Sequence, residues 1–160
     1  MNNVNRSIRR QDRVMDESRA FALLEKGEYG FLSMQSEEGG GYGVPVNYVW
    51  DAAARALYIH CAPQGRKLRC LAAEPRVSFC VVGHTCPLPA QFATEYESVL
   101  LQGRARTGLA EAEKKHALML LVRKYCHGLE EEGRRFAEGA LPRLELIRMD
   151  AESWSAKAKS

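Results

Sequence analysis

Apolar residues change their spacing several times along this chain, and each change marks an expected element. Over 17–26 they recur at helical intervals (Ala20, Phe21, Leu23, Leu24) behind a capping Asp16 and ahead of Gly27, which predicts a short helix. Residues 29–35 and 42–50 read as strands around the turn EEGGG, 37–41. Pro45 cannot donate a ladder bond, so the second of these strands belongs at an edge or a bulge. A connector, 51–55, leads to a third strand at 56–60, and a short helix is expected over 67–73. RVSFCVVG, 76–83, is almost continuously apolar, the pattern of a central strand covered on both faces.

The next segment, HTCPLPAQFATEYE (84–97), has two prolines and no clear period, and reads as a long loop suited to covering a ligand. Alternation returns over 98–107, where Val99, Leu101, Gly103 and Ala105 face one way and Ser98, Gln102, Arg104 and Arg106 the other. Only Leu100 breaks the polar side. A helix is expected over 110–126, with Leu118, Leu121, Val122 and Tyr125 as a core-facing stripe. A charged helix (129–138) and a last strand (143–149) follow, and the end, AESWSAKAKS, reads as polar apart from Trp154.

Helix, three strands, short helix, two strands, two helices and a strand make an α+β chain on a mostly antiparallel sheet. Six strands of that kind can close into a small barrel. The expectation is one domain over 1–160, with 1–15 as an N-terminal arm and 150–160 as a polar tail.

Composition narrows the function classes. The formal charge of +3 comes from 23 basic and 20 acidic residues dispersed along the chain, short of a nucleic-acid binder's footprint. No apolar run reaches the roughly 18 residues that span a membrane, and the first residues lack a signal-peptide core, so a cytoplasmic location is expected. Five cysteines (Cys61, Cys70, Cys80, Cys86, Cys126) show no CxxC pair and read as free thiols. His84-x-Cys86 and Cys126-His127 each offer two metal ligands but lack a visible second pair, so no metal is expected. GxGxxG after a strand, GxxxxGK[ST], HExxH and GxSxG are all missing, which weakens dinucleotide, P-loop, metalloprotease and serine-hydrolase readings.

The stretch that carries chemistry is HCAPQGRK, 60–67, between the third strand and the short helix. Two cations at a helix start oppose the backbone dipole. Gly65 lets a ligand approach the backbone, and Arg66 and Lys67 add a forked donor and a mobile charge to the free helical N–H groups. Two readings stay open at this point: solvated surface cations, or a seat for a phosphate.

GVPVNYVWD, ALYIHCAPQGRKLRCLAAEPRVSFCVVG and YESVLLQGRA, together with YGFLSM, resemble the flavin-binding split barrels of the pyridoxamine 5'-phosphate oxidase superfamily. Within it they are most similar to the nitroimidazole-resistance proteins. The resemblance runs from RRQDR to the last strand. It implies a homodimer with FMN at the subunit interface, Arg66 and Lys67 on the phosphate, Val46, Asn47 and Tyr48 against the isoalloxazine ring partly through backbone groups, Ser98 reaching the cofactor, and His60 facing flavin and substrate as the catalytic residue. Phe92 and Tyr96 could shield the ring. The Trp and Arg by which true pyridoxamine 5'-phosphate oxidases grip their substrate are not recognisable in LIRMDAESWSAKAKS, so vitamin B6 oxidation is not expected. The function so implied is an FMN-dependent oxidoreductase that reduces a small planar acceptor such as a nitro-aromatic. Its rivals are a flavin module without turnover and a haem-binding split barrel using His84, His116 or His127.

Overall fold

The computed structural model describes residues 1–159. A two-residue strand β1 (Asn2–Asn3) and two short 3-10 turns precede helix α1 (Glu17–Lys26), whose first turn is capped by Asp16 Oδ1 accepting the Arg19 N–H at 2.9 Å. Then come β2 (Gly30–Gln35), β3 (Gly41–Val46), β4 (Val49–Asp51), β5 (Ala56–Cys61), α2 (Arg66–Ala73), β6 (Arg76–Leu88), β7 (Ala93–Arg106), α3 (Glu111–Tyr125), α4 (Glu130–Ala140) and β8 (Glu145–Lys159). One sheet runs in the order β3-β2-β6-β7-β8-β5-β4, antiparallel throughout, with β1 added parallel to β8. It curls around a core that includes Leu32, Tyr48, Leu57, Ile59, Phe79 and Trp154, giving an α+β split barrel with flanking helices.

The expected strand over 42–50 is in fact two. β3 and β4 are neighbours in the chain yet lie at opposite ends of the sheet order, so Asn47 and Tyr48 carry the backbone from one edge to the other. Pro45 sits on edge strand β3, where its missing N–H costs no ladder bond. At the break, Tyr125 of α3 takes over the role of a neighbouring strand: its hydroxyl accepts the Tyr48 N–H at 3.0 Å and lies 2.8 Å from the Tyr48 carbonyl.

Three further expectations are corrected. Residues 84–97 are not a loop: β6 and β7 continue through them as a long hairpin, turned at Pro89–Gln91. Nor do residues 150–159 form a polar tail, because β8 runs on to Lys159 with Trp154 and Ala156 buried and Trp154 packed 5.4 Å from the Phe21 ring; Ser160, the last residue of that expected tail, lies outside the described residues. Finally, the strand at 76–83 is central but covered on one face only: Val77, Phe79 and Val81 are buried while Val82 is 52% exposed. The strand buried on both faces is β5, where Leu57 and Ile59 enter the barrel core and Tyr58 meets α3. Among the described residues eight strands therefore stand where six were expected.

A second apolar cluster lies outside the barrel. Leu118, Leu121 and Val122 of α3 and Ala137 of α4 pack on Val49, Tyr58 and Leu146, so three residues of the expected core-facing stripe are in the core, while the fourth, Tyr125, is 36% exposed. Arg148 of β8 fastens α3 through Glu113 at 2.6 Å, and Glu113 also accepts the Tyr58 hydroxyl at 3.0 Å.

Candidate functional site

The seat for an anion forms where β5 hands over to α2. Gly65 is the N-cap with φ 143°, a conformation that side chains other than glycine avoid, and open space surrounds the position of a Cβ there. No side chain caps the helix, and its first turn holds no acidic residue. Among the described residues the leading N–H groups have no hydrogen-bond partner, and they face outward with the positive end of the dipole. Arg66 is held in place: one guanidinium nitrogen donates to Ser36 Oγ at 3.1 Å, and the group lies 4.3 Å from the centre of the Tyr42 ring. Its remaining N–H donors stay free. Lys67, half-buried, enters no ion pair among the described residues.

His60 stands at the end of β5, five residues before Gly65, where β5 pairs with β8 through the contact to Leu146. It is open to solvent on one side and packed on the other. That partial burial, and secondarily the charge of Lys67, hold its imidazole below the usual histidine value, so the neutral form prevails at pH 7. Next to it, burial pushes the Cys61 thiol up, partly opposed by Lys67, which leaves it protonated and poorly nucleophilic.

His60 and Asn47 line one cavity of about 590 Å³. Its other walls are α3 and α4, with Leu121, Val122 and Tyr125 on one side and Leu129 and Phe136 on the other. The last two are 59% and 79% exposed, so the cavity has an apolar rim. The volume lies within the range of small-molecule sites, and the apolar lining with few polar groups suits a flat aromatic ring. Asn47 is oriented by donating its amide to the Glu28 carbonyl at 3.0 Å. The walls from α3 and α4 were not anticipated as site residues, because their stripe read only as core.

The other expected site residues are distributed differently. Val46 is half-buried against the barrel core. The Tyr48 side chain is fully buried, its hydroxyl donates to the Leu24 carbonyl at 2.6 Å, and its ring stands edge-on to Phe79 at 4.8 Å. Its backbone N–H and carbonyl are both engaged by the Tyr125 hydroxyl, so a ligand meeting this residue would have to share or displace those contacts. Burial raises the phenol's pKa further. Ser98 lies on the side of β7 opposite the core, in register with Val82 and Lys157, and lines none of this cavity. Phe92 is 98% exposed at the hairpin tip, and Tyr96 pairs with Thr85 and Lys159; neither reaches the cavity.

A second hollow, about 680 Å³, opens on the other side of Asn47 and includes Lys124, His127 and Trp50. The Lys124 ammonium is buried without a hydrogen-bond partner, 3.9 Å from the centre of the Tyr48 ring, and burial brings its pKa down to about 8. Among the described residues no helix is long and apolar enough to cross a membrane.

Several solved structures share this fold. A candidate 5-nitroimidazole antibiotic resistance protein from Bacteroides thetaiotaomicron superposes with TM-score 0.75 at 19% identity, covering 91% of this chain and 86% of its own. A conserved hypothetical protein from Mycobacterium tuberculosis gives 0.80 at 15% identity, covering 95% and 90%. The flavocytochrome Anf3 from Azotobacter vinelandii gives 0.75 at 18% identity, covering 96% and 72%. At such identities the likeness speaks for the fold alone. No curated protein matches the chain in sequence. The sequence model of the pyridoxamine 5'-phosphate oxidase family, by contrast, matches residues 16–158, nearly every element from α1 to β8, and the chain belongs to that family.

Proposed function

We propose that the chain binds FMN, with the phosphate on the start of α2 and the ring system toward His60 and Asn47, and reduces a small planar acceptor of the nitro-aromatic kind. One observation carries this reading: an uncapped, acid-free helix start bearing Arg66 and Lys67 lies a short turn from a histidine on the wall of an apolar cavity. The bound flavin would supply the electron transfer. The protein's own share is binding, orientation and the proton. Arg66, already fixed by Ser36 and Tyr42, presents its free guanidinium edge to the phosphate, and Lys67 adds charge. A dianionic phosphate beside Lys67 offsets the smaller of the two causes that depress the His60 pKa, the ammonium's charge, and to that extent favours the protonated imidazole that can deliver a proton.

The assembly in this proposal is a homodimer. Phe31, Cys80 and Leu100 lie in register across β2, β6 and β7 on the face away from the core, and Val82 adjoins them. Phe31, Val82 and Leu100 are 44%, 52% and 36% exposed. The nearly continuous apolar run of β6 lacks a cover on this face, and a second copy would supply it. Ser98 shares the face and would reach cofactor through the dimer.

The experiment is anaerobic. The chain is loaded with FMN, reduced, and mixed with a nitroimidazole while flavin absorbance is followed. Reoxidation faster than free reduced FMN supports the reading; a yellow protein that never accelerates it is a flavin module instead. Relatives include one described as binding both FAD and heme. Among the described residues His60 is the one histidine lining the apolar cavity, so a haem there would compete for the same residue, and a haem band in place of a flavin spectrum would overturn the proposal.

A further inference from the structure

The β6–β7 hairpin holds a group of side chains that the flavin reading leaves idle. His84 and Cys86 are two residues apart on β6 and so project to the same side, and Glu95 of β7 is the cross-strand partner of Cys86. Between Val82 and Thr85 the register shifts, the irregularity by which a strand re-aims a side chain. The His84 backbone N–H turns to Glu97 Oε1 at 3.4 Å. One donor atom each of His84, Cys86 and Glu95 lies within 4.8 Å of the others, the one such group of three among the described residues.

None of the three is firmly committed elsewhere. Among the described residues, the His84 ring and the Glu95 carboxylate enter no hydrogen bond or ion pair, although Glu95 is half-buried. The Cys86 thiol makes only a 3.7 Å contact with the Pro87 carbonyl. An imidazole, a thiol and a carboxylate form the mixed donor set that suits tetrahedral zinc, for which metal–ligand bonds of about 2.0–2.3 Å place donors about 3.5 Å apart. Small rotamer changes bring a group already within 4.8 Å to that spacing. His84 is exposed, which leaves the fourth position open to water.

We infer that His84, Cys86 and Glu95 form a binding site for a divalent transition-metal ion of the zinc class, separate from the flavin site. Binding converts the Cys86 thiol to a thiolate on the metal and releases its proton to solvent, so the apparent affinity rises with pH. The sequence offered His84-x-Cys86 as half a site; the third ligand comes from across the hairpin, where spacing alone cannot show it.

Cobalt(II) is the probe. It is titrated into metal-free full-length chain under anaerobic, non-thiol reducing conditions, and difference spectra are recorded against the same sample without metal. The expected result is a thiolate-to-cobalt charge-transfer band that saturates at one equivalent, is displaced by zinc, and disappears in Cys86→Ser. Glu95→Gln and His84→Ala should each weaken binding by at least about tenfold, since even outer-shell partners of metal ligands count for that much. Cys61→Ser and Cys126→Ser should leave the band intact. Cys86→Ser and Glu95→Gln are nearly isosteric and half-exposed, so they report on ligation and not on folding. A missing band, a band kept in Cys86→Ser, or an unchanged affinity in Glu95→Gln would each overturn the site.

Discussion

Lys67→Glu separates the anion seat from an ordinary surface cation because two effects of opposite sign act at one position. A charge-assisted contact to a phosphate contributes about 1.5–3 kcal/mol, so removing it weakens FMN binding about 10- to 150-fold. Placing a carboxylate beside the phosphate adds repulsion, and the loss in Lys67→Glu should exceed about 100-fold at low salt. In the flavin-free protein the same change favours folding. A negative charge in the first turn of α2, which has no acidic residue and no side-chain cap, gains about 0.3–1 kcal/mol from the helix dipole. Affinity and stability should therefore move apart. Fluorescence-quenching titrations with FMN and with riboflavin give the affinity, and urea unfolding of the flavin-free chain gives the stability. Riboflavin, which has no phosphate, should bind wild type and Lys67→Glu alike. Arg6→Glu, the same charge change on the exposed N-terminal arm, should do nothing to FMN. An FMN affinity within twofold of wild type, or an equal loss for riboflavin, would refute the placement of the phosphate.

Other outcomes follow from the packing and the buried charges. Gly103→Ala should cost about 3 kcal/mol or more by urea unfolding, because its Cβ would lie 2.0 Å from the Asp150 carbonyl oxygen, backbone that cannot rotate away, at the bulge where β7 meets β8. Glu113 is held below the usual carboxylate range, chiefly by its hydrogen bond from Arg148, so its contribution is present above the unfolded glutamate value and lost as pH falls through the lower folded one. Glu113→Gln should accordingly flatten the acid limb of the stability profile. For Lys124 it is the charged form that folding disfavours: with a folded pKa of about 8, below the unfolded value, the unfolded chain binds more protons above pH 8, and stability should rise on going from pH 8 toward 10. Lys124→Met should remove that rise, and a rise that persists would mean the ammonium is better solvated than its surroundings imply.

The parts of the fold that sequence reveals are those whose signals are local. Asp16 and Gly27 bracket α1, and Gly65 with the following cations marks the start of α2. The hairpin over 84–97 was hidden by Pro87 and Pro89 and by the register shift after Val82, which together erase the two-residue period. The second half of the last strand, beyond Met149, was hidden by its inward residues: Ala156 and Ala158 are too small to register as apolar beside Ser155, Lys157 and Lys159. The break at Asn47 has no local signal, since the chain there leaves one edge of the sheet for another that forms only in three dimensions. In the candidate site, the turn that holds His60, Arg66 and Lys67 was legible as a strand end beside a helix start. The cavity walls on α3 and α4 were not, because one helical stripe serves both the core and the cavity.

The hand-over at Asn47 and Tyr48 also constrains the order of assembly. The β4–β5 ribbon gains its remaining neighbour only when β8 arrives and pairs with β5, Ala56 to Asp150, and β7 needs the same strand on its free side. A nascent polypeptide that has not yet emitted β8 thus carries two unsatisfied ribbons at once. Such long-range closure makes for slow acquisition of the native state and an interval of exposure to self-association, in which synthesis rate and chaperone supply decide the yield.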